Sequence, residues 1–101
     1  MEYGYIRSAT GNKESLEEQV ATLKSYGIEH IIEEKTGKDL PELLTKLQAG
    51  DTLRVSSVER LTRDVNKLLA LTIWAEDMGI NLYAGDQKVD MPALRKVHLD
   101  L

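Results

Sequence analysis

The chain has no cysteine and no phenylalanine, only two prolines, and 5% aromatic residues in all. Without thiols, disulfide cross-links and thiolate chemistry are excluded. No Pro-, Gly- or Ser-rich tract interrupts the 101 residues, so residues 1–101 read as one domain. No apolar run approaches the roughly 20 residues of a membrane span, and the first residues carry no basic-then-apolar export signal. A cytoplasmic location with no membrane partner is the expectation. Excess positive charge is lacking as well. Seventeen Asp and Glu outnumber thirteen Lys and Arg, a formal net charge of −4, whereas domains that hold nucleic acid by bulk charge are basic. A nucleic-acid role must therefore come from a local cation cluster or a separate basic domain. His30 and His98 stand far apart without companion ligands, so no metal is expected. No Gly-x4-Gly-Lys-Ser/Thr phosphate loop is present.

What is present alternates. Tyr3 to Ser8 is β-prone and closes in the loop Thr10-Gly11-Asn12. Lys13 to Tyr26 has Leu16, Val20 and Leu23 at helical spacing, with Gly27 as the stop. Ile28 to Ile32 is a second strand, followed by a charged loop in which Glu33 and Glu34 read as solvated. Asp39 is placed to cap a second helix with Pro41 in its first turn and Leu40, Leu43, Leu44 and Leu47 inward. Thr52 to Val55 is a third strand. The longest helix runs from about Asp64 to Met78, with Val65, Leu68, Leu69, Thr72 and Ile73 as its apolar stripe and Ala75 and Met78 as candidates to extend it, and Gly79 ends it. Ile80 to Tyr83 is a fourth strand, Ala84 to Lys88 a surface loop, and Leu94, Val97 and Leu101 an apolar-spaced tail. Strands alternating with helices predict an α/β domain in three layers. Its parallel sheet has four or five strands, with right-handed crossovers and helices on both faces.

In such a sheet, ligands gather beyond the carboxyl ends of the strands. The first strand delivers Arg7, Ser8, Ala9 and Thr10 to that edge; the third delivers Ser56, Ser57, Arg60 and Arg63. If Val58 to Arg63 forms one helical turn, Arg60 and Arg63 share a face. Guanidiniums on one edge suit a phosphate or carboxylate. The competing reading pairs each arginine with a surface carboxylate. Tyr3 and Tyr5 are read as strand packing rather than nucleophiles, and Trp74 as a half-buried core residue.

Several segments, in order and at matching spacing over about the first 91 residues, resemble the catalytic domain of serine recombinases, the resolvases and DNA invertases. They are Tyr5-Ile6-Arg7-Ser8-Ala9-Thr10, Leu16-Glu17-Glu18-Gln19, Glu34-Lys35-Thr36-Gly37, Pro41-Glu42-Leu43, Gly50-Asp51 and Val58-Glu59-Arg60-Leu61-Thr62-Arg63-Asp64. The resemblance implies DNA cleavage through a phosphoserine intermediate and strand exchange, without metal or nucleotide cofactor. It places Arg7, Arg60 and Arg63 around the scissile phosphate, Glu59 where the family usually has aspartate, and Gln19 as a polar helix residue near the site. Thr10 falls just past the nucleophile, and Ser8 joins these as a phosphate-side hydroxyl.

The departures carry their own implication. Ala9 occupies the position of the nucleophilic serine, so the resemblance implies a relative unable to cleave DNA as written. Ser8 is one place early and, by strand alternation, faces away from Arg7. Leu40 stands where a further arginine is usual. The family continues into a long dimerisation helix, often followed by a helix-turn-helix domain, and the chain ends about two turns into the matching segment. Expected partners are DNA, held weakly without a separate DNA-binding domain, and a second copy or a related recombinase as dimer partner. The alternative is a non-catalytic interaction module that pairs with a recombinase or another protein.

Overall fold

The computed structural model describes residues 1–8 and 15–90; Ala9, Thr10 and the tail from Pro92 to Leu101 lie outside them. Five strands, β1 (Glu2–Ile6), β2 (His30–Glu33), β3 (Thr52–Val55), β4 (Asn81–Ala84) and β5 (Gln87–Lys88), form one sheet in the order β2-β1-β3-β4-β5. The helices are α1 (Leu16–Ser25), α2 (Asp39–Lys46) and α3 (Val65–Met78). The first four strands pair in parallel. The expectation of an all-parallel sheet with a loop at Ala84–Lys88 is corrected at its edge, where β5 is antiparallel to β4. Gly85, at φ +61°, opens a two-residue turn that sets Ala84 opposite Gln87, the geometry of a hairpin with glycine first in the turn.

Strand alternation sorts the core into two layers. Tyr5, Leu53, Val55 and Leu82 pack with Leu43 of α2, Leu47 just after it, and Leu68 and Ala75 of α3. On the other face Ile6 packs with Leu23 of α1 and Ile28. Gly4 belongs to that second face, and a Cβ there would sit 2.7 Å from Leu23 Cδ1. The missing side chain is what lets α1 lie so close to β1.

Not all of α3's expected stripe turns inward. Leu68, Thr72 and Ala75 are buried, while Val65, Ile73 and Met78 are exposed. The helix is apolar nearly all round, so hydrophobicity alone cannot choose its inner face. Thr72 is buried at no hydrogen-bonding cost, because its hydroxyl donates to the Leu68 carbonyl at 2.9 Å.

The helix starts are satisfied in two ways. Ser15 accepts from Glu18 N at 3.1 Å, and Asp64 accepts from Asn66 N at 2.9 Å, each an ordinary N-cap. At α2 the expected cap is corrected. Asp39 is the first helical residue, and Lys38 before it offers no side-chain bond. The carboxylate that serves this helix is Glu34. It accepts from Asp39 N at 3.0 Å, Leu40 N at 3.1 Å and Gly37 N at 2.9 Å.

Asp39 faces back along the loop, accepting from Lys35 N at 2.7 Å and Thr36 N at 2.9 Å. Those two backbone donors, led by Lys35 N, hold its carboxyl at about 2, below the ordinary 3.8. Because the folded value is depressed, the stabilisation is fully present above about pH 4 and lost as pH falls through about 2. Acid unfolding of Asp39→Asn is expected to show a flatter decline than the parent across that window; coincident curves would remove Asp39 from the acid response.

Candidate functional site

The strand order reverses at β1: the chain passes outward to β2 and returns to β3 on the other side. In open α/β sheets the crevice at such a switch point, beyond the carboxyl ends of the strands, is where ligands bind. Here those ends are Arg7, directly after β1, and the stretch from Ser56 to Arg60 after β3.

Two contacts fix the geometry. Gln19, wholly buried on α1, donates Nε2–H to the Arg7 carbonyl and accepts the Arg7 N–H through Oε1, both at 2.9 Å. A primary amide is the one neutral side chain that can both donate and accept in this way. Its bonds hold the chain leaving β1 as a further ladder rung would. Val58–Arg60 forms a single 3₁₀ turn, which aims Arg60 inward at 2% exposure. Arg60 Nη1 donates to the same Arg7 carbonyl at 3.2 Å. Arg7 in turn reaches Nη2 to the Glu59 carbonyl at 3.4 Å. Arg7, Gln19, Glu59 and Arg60 are thus brought together. The Arg7 guanidinium has no carboxylate partner among the described residues, contrary to the surface-pairing reading.

Arg63 is placed differently. The expected single turn through Val58–Arg63 is corrected: the 3₁₀ turn ends at Arg60, and Asp64 is extended as the cap of α3. The i, i+3 face therefore does not exist, and Arg63 is exposed while Arg60 is buried. Arg63 makes no side-chain hydrogen bond or ion pair among the described residues. Ser8 is exposed, and Ala9 and Thr10 lie outside the described residues.

Sequence reasoning missed Glu34. Besides the three backbone donors it accepts the Tyr5 hydroxyl at 2.7 Å, so the loop expected to be solvated is anchored under the site. Burial first, then the adjacent Glu34 carboxylate, pushes the Tyr5 phenol well above its ordinary value. Tyr5 stays a protonated donor, which agrees with strand packing and not with a nucleophile. The pair forms part of the lining of a crevice of about 460 Å³ between α2 and α3, lined also by Arg7, Leu40, Lys67 and Trp74. Trp74 is half-buried there, as expected.

Arg54 was also overlooked. Its guanidinium is stacked between Tyr26 and Tyr83, 4.5 Å from each ring centroid, and donates to the Gly85 carbonyl. It clamps the end of α1 to β4, while its Nε is buried without a hydrogen-bond partner among the described residues. Among the described residues no cluster of His, Asp or Glu could hold a metal, and no helix is long and apolar enough to cross a membrane.

The family model for the resolvase N-terminal domain matches residues 2–99. The chain belongs to that family. The transposon Tn917 resolvase of Enterococcus faecalis is 31% identical over 96 residues, 89% of this chain and 52% of the relative. The serine recombinase gin of Escherichia phage Mu is 36% identical over 93 residues, 86% of this chain and 48% of the relative. The DNA-invertase of Enterobacteria phage P7 is likewise 36% identical over 93 residues. The chain spans about half the length of the curated relatives it matches. As a resolvase-family domain it has the three-layer α/β architecture that the ordered motifs imply.

Proposed function

We propose that this domain holds a DNA phosphodiester at the β1/β3 edge in the manner of a serine recombinase catalytic domain, and that it does not cut it. The observation that carries the reading is the buried Arg60 guanidinium drawn onto the Arg7 carbonyl at the switch point. A desolvated guanidinium is costly to keep and is suited to spreading the charge of phosphoryl transfer. Arg7 and Arg63 serve the same phosphate, Gln19 fixes Arg7, and Glu59 contributes the carbonyl that holds the Arg7 fork. Ser8 and Thr10 flank the position of Ala9. Residues 1–101 act as the catalytic-type domain, and bulk DNA affinity comes from a further segment or from a partner. No metal or nucleotide takes part.

Ala9 stands where the nucleophile belongs, and loss of a covalent nucleophile costs about six orders of magnitude in rate, roughly 8 kcal/mol. The arginines stabilise charge but form no bond to phosphorus. A second reading, a module that pairs with a recombinase or another protein, is favoured by the exposed Val65 and Ile73, which lie about a quarter-turn apart on α3.

One experiment addresses both. The chain, alone and mixed with an active relative, is incubated with supercoiled plasmid at low salt, then analysed by denaturing gel and sedimentation. Alone it should bind weakly, with affinity falling steeply with salt, and give neither nicks nor a covalent adduct. An adduct mapping to Ser8 would overturn the non-cleaving reading, and absence of any binding would overturn the phosphate site. Co-sedimentation with the relative would support the pairing role; separate boundaries would count against it.

A further inference from the structure

The crevice beside Arg7 is built for more than a single phosphate. It opens between the start of α2 and the first turns of α3, with Leu40, Leu61 and Trp74 among its walls. Two cations line it: Arg7 from the end of β1 and Lys67 from the first turn of α3. Glu34 is the one acid in that lining, and its two oxygens already accept four donors, from Tyr5, Gly37, Asp39 and Leu40. Neither Arg7 nor Lys67 pairs with a carboxylate among the described residues. Two cations against one carboxylate leave the described lining with a net formal charge of +1, although the chain as a whole carries −4. Low-dielectric walls concentrate such a field.

A ligand that matches has repeated negative charge on a partly apolar frame. A sugar-phosphate strand has that chemistry, its phosphates meeting cations and its deoxyribose faces meeting Leu and Trp. We propose that Lys67 binds the phosphate next to the one held at Arg7 and Arg60, so that a DNA strand runs along the crevice between α2 and α3. The proposal rests on the phosphate reading above. It adds a path for the strand and a residue on α3 that positions it.

The test uses the 101-residue chain with a fluorescein-labelled DNA duplex at low salt. Anisotropy reads binding, and emission from Trp74, the single tryptophan, reads occupancy of the crevice. Binding is expected to change Trp74 emission. Lys67→Gln should weaken binding several-fold and take about 0.9 off the slope of log affinity against log salt, the share of one phosphate. Lys67→Arg should restore both. Lys67 is exposed, so neither exchange should disturb the fold, and thermal melts provide that control. A salt slope unchanged in Lys67→Gln overturns the proposal, and does so even when Arg7→Gln weakens binding and the phosphate reading stands. If the parent chain shows no binding, both fall together.

Discussion

Glu34→Ala is expected to lower stability by about 3 kcal/mol, since each net hydrogen bond lost is worth about 0.5–1.5 kcal/mol and more when the acceptor is charged. For a domain of this size that is a fall of about 12–24 °C in melting temperature. Four donors lose their acceptor at once. Three are backbone N–H groups at the entry to α2, the orphans that every helix start must satisfy, and Lys38 offers no side chain in Glu34's place. The fourth is the Tyr5 hydroxyl, on a residue only 1% exposed, where water is a poor replacement. Glu34→Gln should cost roughly half as much, because the amide keeps one accepting oxygen and turns its NH2 toward groups that are themselves donors. Tyr5→Phe alone should cost about 1 kcal/mol. The two sites share one bond, so the double variant should be less destabilised than the sum of the singles. A melting temperature for Glu34→Ala within a few degrees of the parent would mean the loop is solvated after all.

That loop shows where sequence reading ends. A cap is sought immediately before the helix, and Asp39 met every local criterion of residue type and position. The carboxylate that acts lies five and six residues upstream of the N–H groups it accepts, a distance that only the fold of Glu34–Lys38 can close. Elements ruled by neighbouring residues were legible: Thr52–Val55 as a strand, the start of α3 near Asp64, the Gly79 stop at φ +73°. The meeting of Arg7 with the stretch after β3 was legible too, because parallel topology alone delivers both to one edge. The relation of Arg60 to Arg63 was not. It depended on whether a helical turn continued past Leu61, and the Asp64 cap, which needs extended backbone, ended it. Arg54 escaped notice for a similar reason. An arginine between Leu53 and Val55 looks like the solvent side of a strand, and its two stacking partners come from α1 and β4.

Arg60 divides the structural from the functional demand on the site. Arg60→Ala removes a large, nearly fully buried side chain and leaves the Arg7 carbonyl without that donor. A loss of about 3 kcal/mol or more is expected from cavity and hydrogen bond together. That result alone would say nothing about DNA. Arg60→Met keeps much of the length and so spares most of the cavity, and the Arg7 carbonyl keeps its Gln19 Nε2 donor at 2.9 Å. Arg60→Met should therefore stay folded and melt above Arg60→Ala, yet bind the DNA duplex at least about tenfold more weakly, some 1.4 kcal/mol. Arg60→Lys should fail to rescue binding, because a single ammonium cannot reproduce a planar fork that serves a carbonyl on one side and a phosphate on the other. If Arg60→Met binds as tightly as the parent, with the same dependence on salt, the guanidinium is a strut for the β1 terminus and the phosphate lies elsewhere. If it binds weakly while remaining folded, the Arg60 guanidinium contributes to holding the phosphate as well as bracing the β1 terminus.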